Sequence, residues 1–113
     1  MTDFRGIIRD ISNVDFYSDV ISNEGKKEFK INKPFRIIQV SFSGFQENSP
    51  VIASVYGDER PHGNYYVYKG TTGEQFKKSP ILINKIEVEV IGQVENPIFV
   101  NIVYEILEDN YGV

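Results

Sequence analysis

The choice of apolar residues restricts the fold of this 113-residue chain more than any other feature of its sequence. It contains 15 Ile, 12 Val, 8 Phe and 7 Tyr, but only 2 Leu and 1 Ala. β-branched and aromatic side chains suit the half-buried surface of a β-sheet, whereas Leu and Ala favour helices. The sequence therefore predicts an all-β domain, and it shows no long stripe of helical periodicity.

Alternation of apolar and polar residues marks short strands along most of the chain. Predicted strands cover residues 14–21, 29–31, 35–45, 51–56, 65–69, 86–90 and 98–107. The polar stretches 57–64 and 70–79 are predicted loops, and Pro34 is expected to limit the strand before it. With 4–11 as an edge strand or arm, about seven or eight strands predict one antiparallel domain over residues 1–113. The expected architecture is a jelly-roll-like β-sandwich or a small barrel.

The last two predicted strands show the clearest alternation. The turn-rich residues 92–97 separate them, so the two strands are predicted to pair as an antiparallel hairpin. Their apolar faces, with that of strand 35–45, supply the predicted core. Its members are Ile38, Val40, Phe42, Val88, Val90, Val100, Ile102 and Tyr104.

Charge and composition argue against several functional classes. The formal net charge is −4, from 12 basic and 16 acidic residues, and nucleic-acid binding usually requires a basic surface. No stretch approaches the 18 or more apolar residues of a membrane span. The N-terminus lacks the layout of a signal peptide, and the chain contains no cysteine, which predicts synthesis in the cytoplasm.

No catalytic residue, metal site or cofactor is predicted. His62, the only histidine, lies in a stretch of turn-forming residues and is interpreted as an exposed loop residue. The acidic residues do not match a calcium-binding loop. The Gly- and Thr-containing residues 70–74 lack the Lys and the following helix of a phosphate-binding loop. The sequence therefore predicts that the protein is not an enzyme.

Tyrosines near the two central loops form the main candidate binding site. Tyrosine combines a large apolar surface with a polar tip, and it is favoured at protein interfaces and against sugar rings. An alternative interpretation places two of these tyrosines in the core and two over a sheet face. The candidate binding residues are Tyr56, Asp58, Arg60, Tyr65, Tyr66 and Tyr68.

The chain ends supply a second group of candidates. An N-terminal arm, residues 1–13, carries Phe4, Ile7 and Ile8, and a C-terminal tail, residues 108–113, carries Tyr111. Apolar residues at a chain end can extend an exposed sheet edge, either on the same chain or on a neighbour. These four residues are predicted to take part in assembly.

These observations favour a non-enzymatic structural, assembly or protein-binding module. Its predicted partners are proteins, as a homo-oligomer or by docking on a larger assembly, with no nucleic acid and no membrane span. Virion components such as capsid-decorating or tail proteins are one such class, by analogy of type alone. The alternative function is a carbohydrate-binding module or small lectin that uses surface tyrosines.

Overall fold

Seven antiparallel strands and no helix make up residues 14–76 and 82–106, which are the residues described by the computed structural model. The prediction of an all-β antiparallel domain is confirmed. The strands are β1 (Val14–Ile21), β2 (Gly25–Phe45), β3 (Val51–Gly57), β4 (Arg60–Val67), β5 (Lys69–Gln75), β6 (Ile83–Ile91) and β7 (Ile98–Ile106).

The strands form two facing layers that share the long strand β2. The hydrogen-bonded order is β1-β7-β2-β6-β3-β4, and β5 also pairs with β2. Residues 35–45 of β2 lie between β7 and β5, and these strands with β1 form layer I. Residues 25–30 of β2 pair with β6, which continues to β3 and β4 as layer II. The architecture is that of a β-sandwich.

Contacts between strands that are not paired show that the two layers face each other. The rings of Tyr17 in β1 and Phe29 in β2 are stacked, with centroids 4.6 Å apart. At the opposite side of the sandwich, the Tyr65 hydroxyl of β4 donates a hydrogen bond of 3.1 Å to Glu74 in β5. The Phe42 ring of β2 lies 5.5 Å from the Tyr65 ring, in the middle of the core.

The predicted core is confirmed at seven of its eight positions, and Ile38 is the exception. Ile38 is half-buried, whereas its neighbour Ile37 is buried. In the β2–β7 register, Ile37 lies opposite Tyr104 and Gln39 lies opposite Val103, so Ile38 is an extra residue on β2. Such a bulge reverses the alternation of the strand. Both apolar sets of this strand can therefore face the core.

The predicted hairpin of the last two strands is wrong. Strand β2 lies between β6 and β7, and the connection 92–97 crosses from layer II to layer I. Each of the two strands has one apolar face, such as Val88 and Val90 in β6 and Ile102 in β7. Two such strands can bury these faces side by side or across a sandwich, and alternation does not distinguish the two arrangements.

Three loop and strand limits also differ from the predictions. Residues 69–75 form β5 at a layer edge, where polar residues on both faces conceal the strand pattern. Strand β4 begins at Arg60, because only Asp58 and Glu59 form the turn after β3. Pro34 does not end β2, since it lies between Lys30 and Phe35, where the register with β6 is interrupted. A proline there removes no hydrogen bond from that ladder.

Gln46, a fully buried polar residue, fastens the 92–97 connection to the end of β2. Its side-chain nitrogen donates to the Asn96 carbonyl at 2.8 Å, and its Oε1 accepts from the backbone N–H of Glu95 at 2.7 Å. The Glu95 carboxylate in turn accepts from the backbone N–H groups of Glu47 and Asn48. The crossing between the layers is therefore held by satisfied polar groups.

Candidate interaction surface

The four candidate tyrosines do not form a single surface. Tyr65 is buried in the core, whereas the neighbouring residue Tyr66 points outward from layer II and is 64% exposed. Tyr56 is half-buried on the same outer face, with its hydroxyl 3.5 Å from Glu89. Tyr68 follows β4 and donates to the Glu47 carbonyl at 3.2 Å, with Lys69 over its ring. Because β4 alternates, successive tyrosines face opposite sides.

Tyr65 has a structural environment rather than that of a binding residue. Burial raises the pKa of its hydroxyl to about 12, and the hydrogen bond to Glu74 acts in the same direction. The phenol therefore stays neutral near pH 7 and can donate to the carboxylate. The expectation that Tyr65 binds a partner is not supported by this position, because its ring is enclosed between the two layers.

Asp58 lies within a tight turn, and Arg60 directly follows that turn. Asp58 and Glu59 have φ angles of 49° and 70°, as the two central residues of a type I′ hairpin turn require. The Asp58 carboxylate accepts from the backbone N–H groups of Asn84 and Lys85, both at 3.1 Å. Asp58 thus fastens the β3–β4 turn to the start of β6. Arg60 is exposed at the first position of β4, where it is accessible to a partner.

The interpretation of His62 as an exposed loop residue is wrong. It lies in β4 as the extra residue of a bulge, because Pro61 pairs with Tyr56 while Gly63 pairs with Val55. Its ring is half-buried and packs edge-on against Phe76, with centroids 4.7 Å apart. Its Nδ1 is the one buried side-chain polar atom of the described residues that lacks a hydrogen-bond partner.

The arm residues Phe4, Ile7 and Ile8 and the tail residue Tyr111 lie outside the described residues. Within 14–76 and 82–106, no group of three or more His, Asp or Glu side chains is placed to hold a metal ion. The same residues contain no helix that is long and apolar enough to span a membrane.

The middle of the outer side of layer I forms a continuous uncharged surface, which we call the neutral face. It ends at the ion pair of Arg36 and Glu105 on one side and at Lys69 on the other. Residues paired across antiparallel strands point to the same side of a sheet, so the register assigns its members. Four adjacent strands contribute three residues each. They are Phe16, Ser18 and Val20 of β1, Phe99, Asn101 and Val103 of β7, Gln39, Ser41 and Ser43 of β2, and Thr71, Gly73 and Gln75 of β5.

The outer side of layer II is charged in β2 and β6, whereas toward β3 and β4 it exposes Tyr66 and Ile91 beside the half-buried Ile52. The strand pair β2–β6 places six charged residues there, and Lys85 forms ion pairs with Glu28, Glu59 and Glu87 at 3.4–3.8 Å. We call this surface the charged face. It includes Lys26, Glu28, Lys30, Lys85, Glu87 and Glu89. The neutral face and the charged face therefore differ sharply in charge.

Large apolar side chains on the neutral face are open to solvent. Phe16, Phe99 and Val20 are 62%, 54% and 44% exposed. A shallow groove of about 520 Å³ lies beside Val20 and Phe99, and its lining includes Ser18, Ser41, Asn101 and the charged residue Asp19. Interface centres are typically poor in charge and rich in aromatic residues, and contiguous exposed apolar surface is uncommon on monomers. The neutral face is therefore the best candidate interaction surface in the described residues.

Sequence reasoning missed the neutral face, although a signal for it is present. The alternating triplets Phe16-Ser18-Val20 and Phe99-Asn101-Val103 contain no charged residue at any outward position. A solvent-facing strand surface normally carries charged residues, as Glu87 and Glu89 do on β6. Each triplet is short, and the two form one continuous surface only when β1 and β7 pair.

Comparisons with known proteins show a fold and no family. No family model matches this sequence, and no curated protein matches it. Among solved structures, the chain resembles the nucleoplasmin-like N-terminal domain of Drosophila FKBP39, with a TM-score of 0.53 and 15% sequence identity. The match covers 88% of this chain and 95% of that domain. The chain therefore has an all-β fold similar to that of a nucleoplasmin-like domain.

Proposed function

We propose that this chain is a non-enzymatic assembly module that binds protein through its neutral face. The observation that carries the proposal is the exposure of Phe16, Val20 and Phe99 on a four-stranded surface without a charged residue. Burying apolar surface drives most protein association, and a surface without charge can be buried with little desolvation cost.

The chemistry of the remaining residues agrees with a role in binding rather than catalysis. The single histidine has its Nδ1 buried against the protein interior, and its ring packs on Phe76. A general base needs access to a substrate proton within hydrogen-bond distance. The similarity in fold to a nucleoplasmin-like domain also supports a binding module, although fold alone does not assign function.

Narrower forms of this function stay predictions. A capsid-decorating or tail protein of a virion would be one kind of assembly module, and synthesis in the cytoplasm fits any of them. Carbohydrate binding receives less support, because Tyr56, Tyr65, Tyr66 and Tyr68 do not form a coplanar exposed row. A glycan array with the wild-type chain and Tyr66→Ala would test it, since Tyr66 has the most exposed ring of the four.

Site-specific photo-crosslinking tests the proposed function. A benzophenone amino acid is placed at position 99 on the neutral face, or at position 66 on the outer side of layer II as a control. Both positions are exposed aromatic residues in strands. We expect protein adducts from position 99 in the purified chain or in extracts of the cells that produce it, at several-fold the yield from position 66. Equal yields from both positions would contradict the proposal.

A further inference from the structure

We propose that the neutral face binds a second copy of this chain in a face-to-face dimer with two-fold symmetry. The inference rests on the proposed function and identifies its partner. The axis would lie in the interface, across the strands, along the row formed by Ser18, Asn101 and Ser41. Symmetric dimers are the commonest oligomers, and each requires a surface that is complementary to itself.

The arrangement of side chains on the neutral face meets this requirement. Ser18, Asn101 and Ser41 form a polar middle row, since the register places them side by side. On one side of this row lie Phe16 and Val103, and on the other side lie Val20 and Phe99. In β1 and β7 the face is therefore an apolar row, a polar row and a second apolar row, in that order along the strands. In β2 and β5 the two outer rows continue with the uncharged polar residues Gln39, Gln75, Ser43 and Thr71.

A rotation by 180° about the polar row exchanges the two apolar rows. Phe16 of one copy then lies on Val20 of the second copy, and Phe99 lies on Val103. The polar row meets itself. Its hydroxyl and amide groups both donate and accept hydrogen bonds, so like residues can pair across the axis. The existing bond of 2.7 Å from Ser18 Oγ to Asn101 Oδ1 already aligns two of these groups.

Charge also favours a second copy over a charged partner. The chain has a net charge of −4, so most ways of bringing two copies together oppose like charges. The twelve positions of the neutral face carry no charge, and contact there avoids this repulsion. A strongly basic or acidic partner would find no opposite charges on this face. Such a partner would be attracted instead to surfaces such as the charged face.

The size of the face predicts a weak dimer. Four strands at about 4.8 Å spacing and five residues of strand length give a patch of about 15–20 Å on each side. Burial of this patch on two copies removes roughly 450–800 Å² of surface, which is below the range of stable specific interfaces and typical of weak association. The expected dissociation constant is therefore in the range of roughly 10–500 µM.

Sedimentation of the intact chain at concentrations from about 5 to about 500 µM tests the proposal. We expect a reversible monomer–dimer equilibrium. Phe16→Asp should weaken it at least about tenfold, because the carboxylate would be buried against an apolar row. Tyr66→Asp is the matched control. Tyr66 is an equally exposed aromatic residue on an edge strand, at 64% against 62%, but it lies on the opposite outer surface.

A charge-swap experiment tests the symmetry itself. Phe16→Asp and Val20→Lys should each weaken association at least about tenfold alone, and their mixture should associate more tightly than either, since position 16 of one copy faces position 20 of the other. Circular dichroism would show that both variants keep the β fold. Association that Phe16→Asp and Tyr66→Asp affect equally would overturn the inference and leave the proposed function standing. The inference would also be overturned, and the proposed function would stand, if the chain were monomeric at all concentrations and position 99 crosslinked to a different protein.

Discussion

His62 is the side chain whose environment differs most from the sequence interpretation. Burial lowers the pKa of its imidazole below the ordinary value of 6.5, because desolvation outweighs the attraction of Glu74. The folded protein therefore resists protonation of this ring, whereas the unfolded chain accepts a proton near pH 6.5. The unfolded state then binds more protons, so the free energy of unfolding falls as the pH drops through this range.

Replacing His62 by a residue that does not titrate should flatten this dependence. For His62→Gln we expect a smaller loss of unfolding free energy between pH 7.5 and pH 5 than for the wild type, by urea denaturation at each pH. Asp19→Asn is the control. The hydrogen bond from Tyr17 lowers the pKa of the Asp19 carboxyl, which is therefore ionised throughout this range. This variant should lower the free energy of unfolding by a constant amount between pH 7.5 and pH 5, and the difference from wild type should shrink only in more acidic solution. Parallel curves for wild type and His62→Gln would contradict the prediction.

Ile102 tests the assignment of the core face of β7. It is fully buried between the two layers, and truncation to alanine removes buried methylene groups and leaves a cavity. We expect Ile102→Ala to lower the free energy of unfolding by about 2–5 kcal/mol. The matched control is Ile91→Ala at the exposed end of β6, where the loss should stay below about 1 kcal/mol. Similar losses at both sites would mean that β7 faces the other way.

Strand β5 depends on a glycine for its contact with β2. A Cβ atom at Gly73 would overlap the Val40 carbonyl and lie 2.8 Å from the Cα of Ser41, so this approach needs a residue without a side chain. Gly73 lies opposite Ser41 in the middle of the β2–β5 register. The strand is polar on both faces, and the only apolar side chain near it that packs against the core is the partly buried Phe76, which directly follows the strand. The position of β5 therefore depends on the close backbone contact between Gly73 and β2.

We expect Gly73→Ala to displace β5 and lower the free energy of unfolding by about 1–3 kcal/mol, because the surrounding backbone must shift. Hydrogen exchange should show faster exchange of backbone amides in β5. Thr71→Ala, two residues away on the same outward face, is the control and should change neither quantity. Unchanged exchange in β5 for Gly73→Ala would contradict the close approach.

The core of the sandwich lies between two layers, and the chain passes from one layer to the other several times. Strand β2 belongs to both layers, and the 92–97 connection crosses from one to the other under the hydrogen bonds of Gln46. Far-ultraviolet circular dichroism of the intact chain should show a β spectrum with little helix, because 78% of the described residues are in strands. A helix content above about one-third, the usual globular share, would contradict this fold.

Composition and local alternation were sufficient to predict the fold class and most buried faces. An excess of Ile, Val, Phe and Tyr predicts β-sheet because β-branched and aromatic side chains fit the pleated surface of a strand, whichever strand they lie in. The same local pattern identified β1 with its exact limits and the inward faces of β6 and β7. It failed at Ile38, where one inserted residue reverses the alternation.

Strand partners and the candidate surface depended on contacts between residues far apart in the sequence. Strands β6 and β7 are neighbours in the chain, yet their apolar faces meet across the core, an outcome that alternation alone does not specify. The neutral face joins Ser18, Ser41 and Asn101, which lie in three separate strands until β1, β7 and β2 pair. The predicted tyrosine site does not form, because neighbouring residues in a strand, such as Tyr65 and Tyr66, point to opposite sides of the sheet.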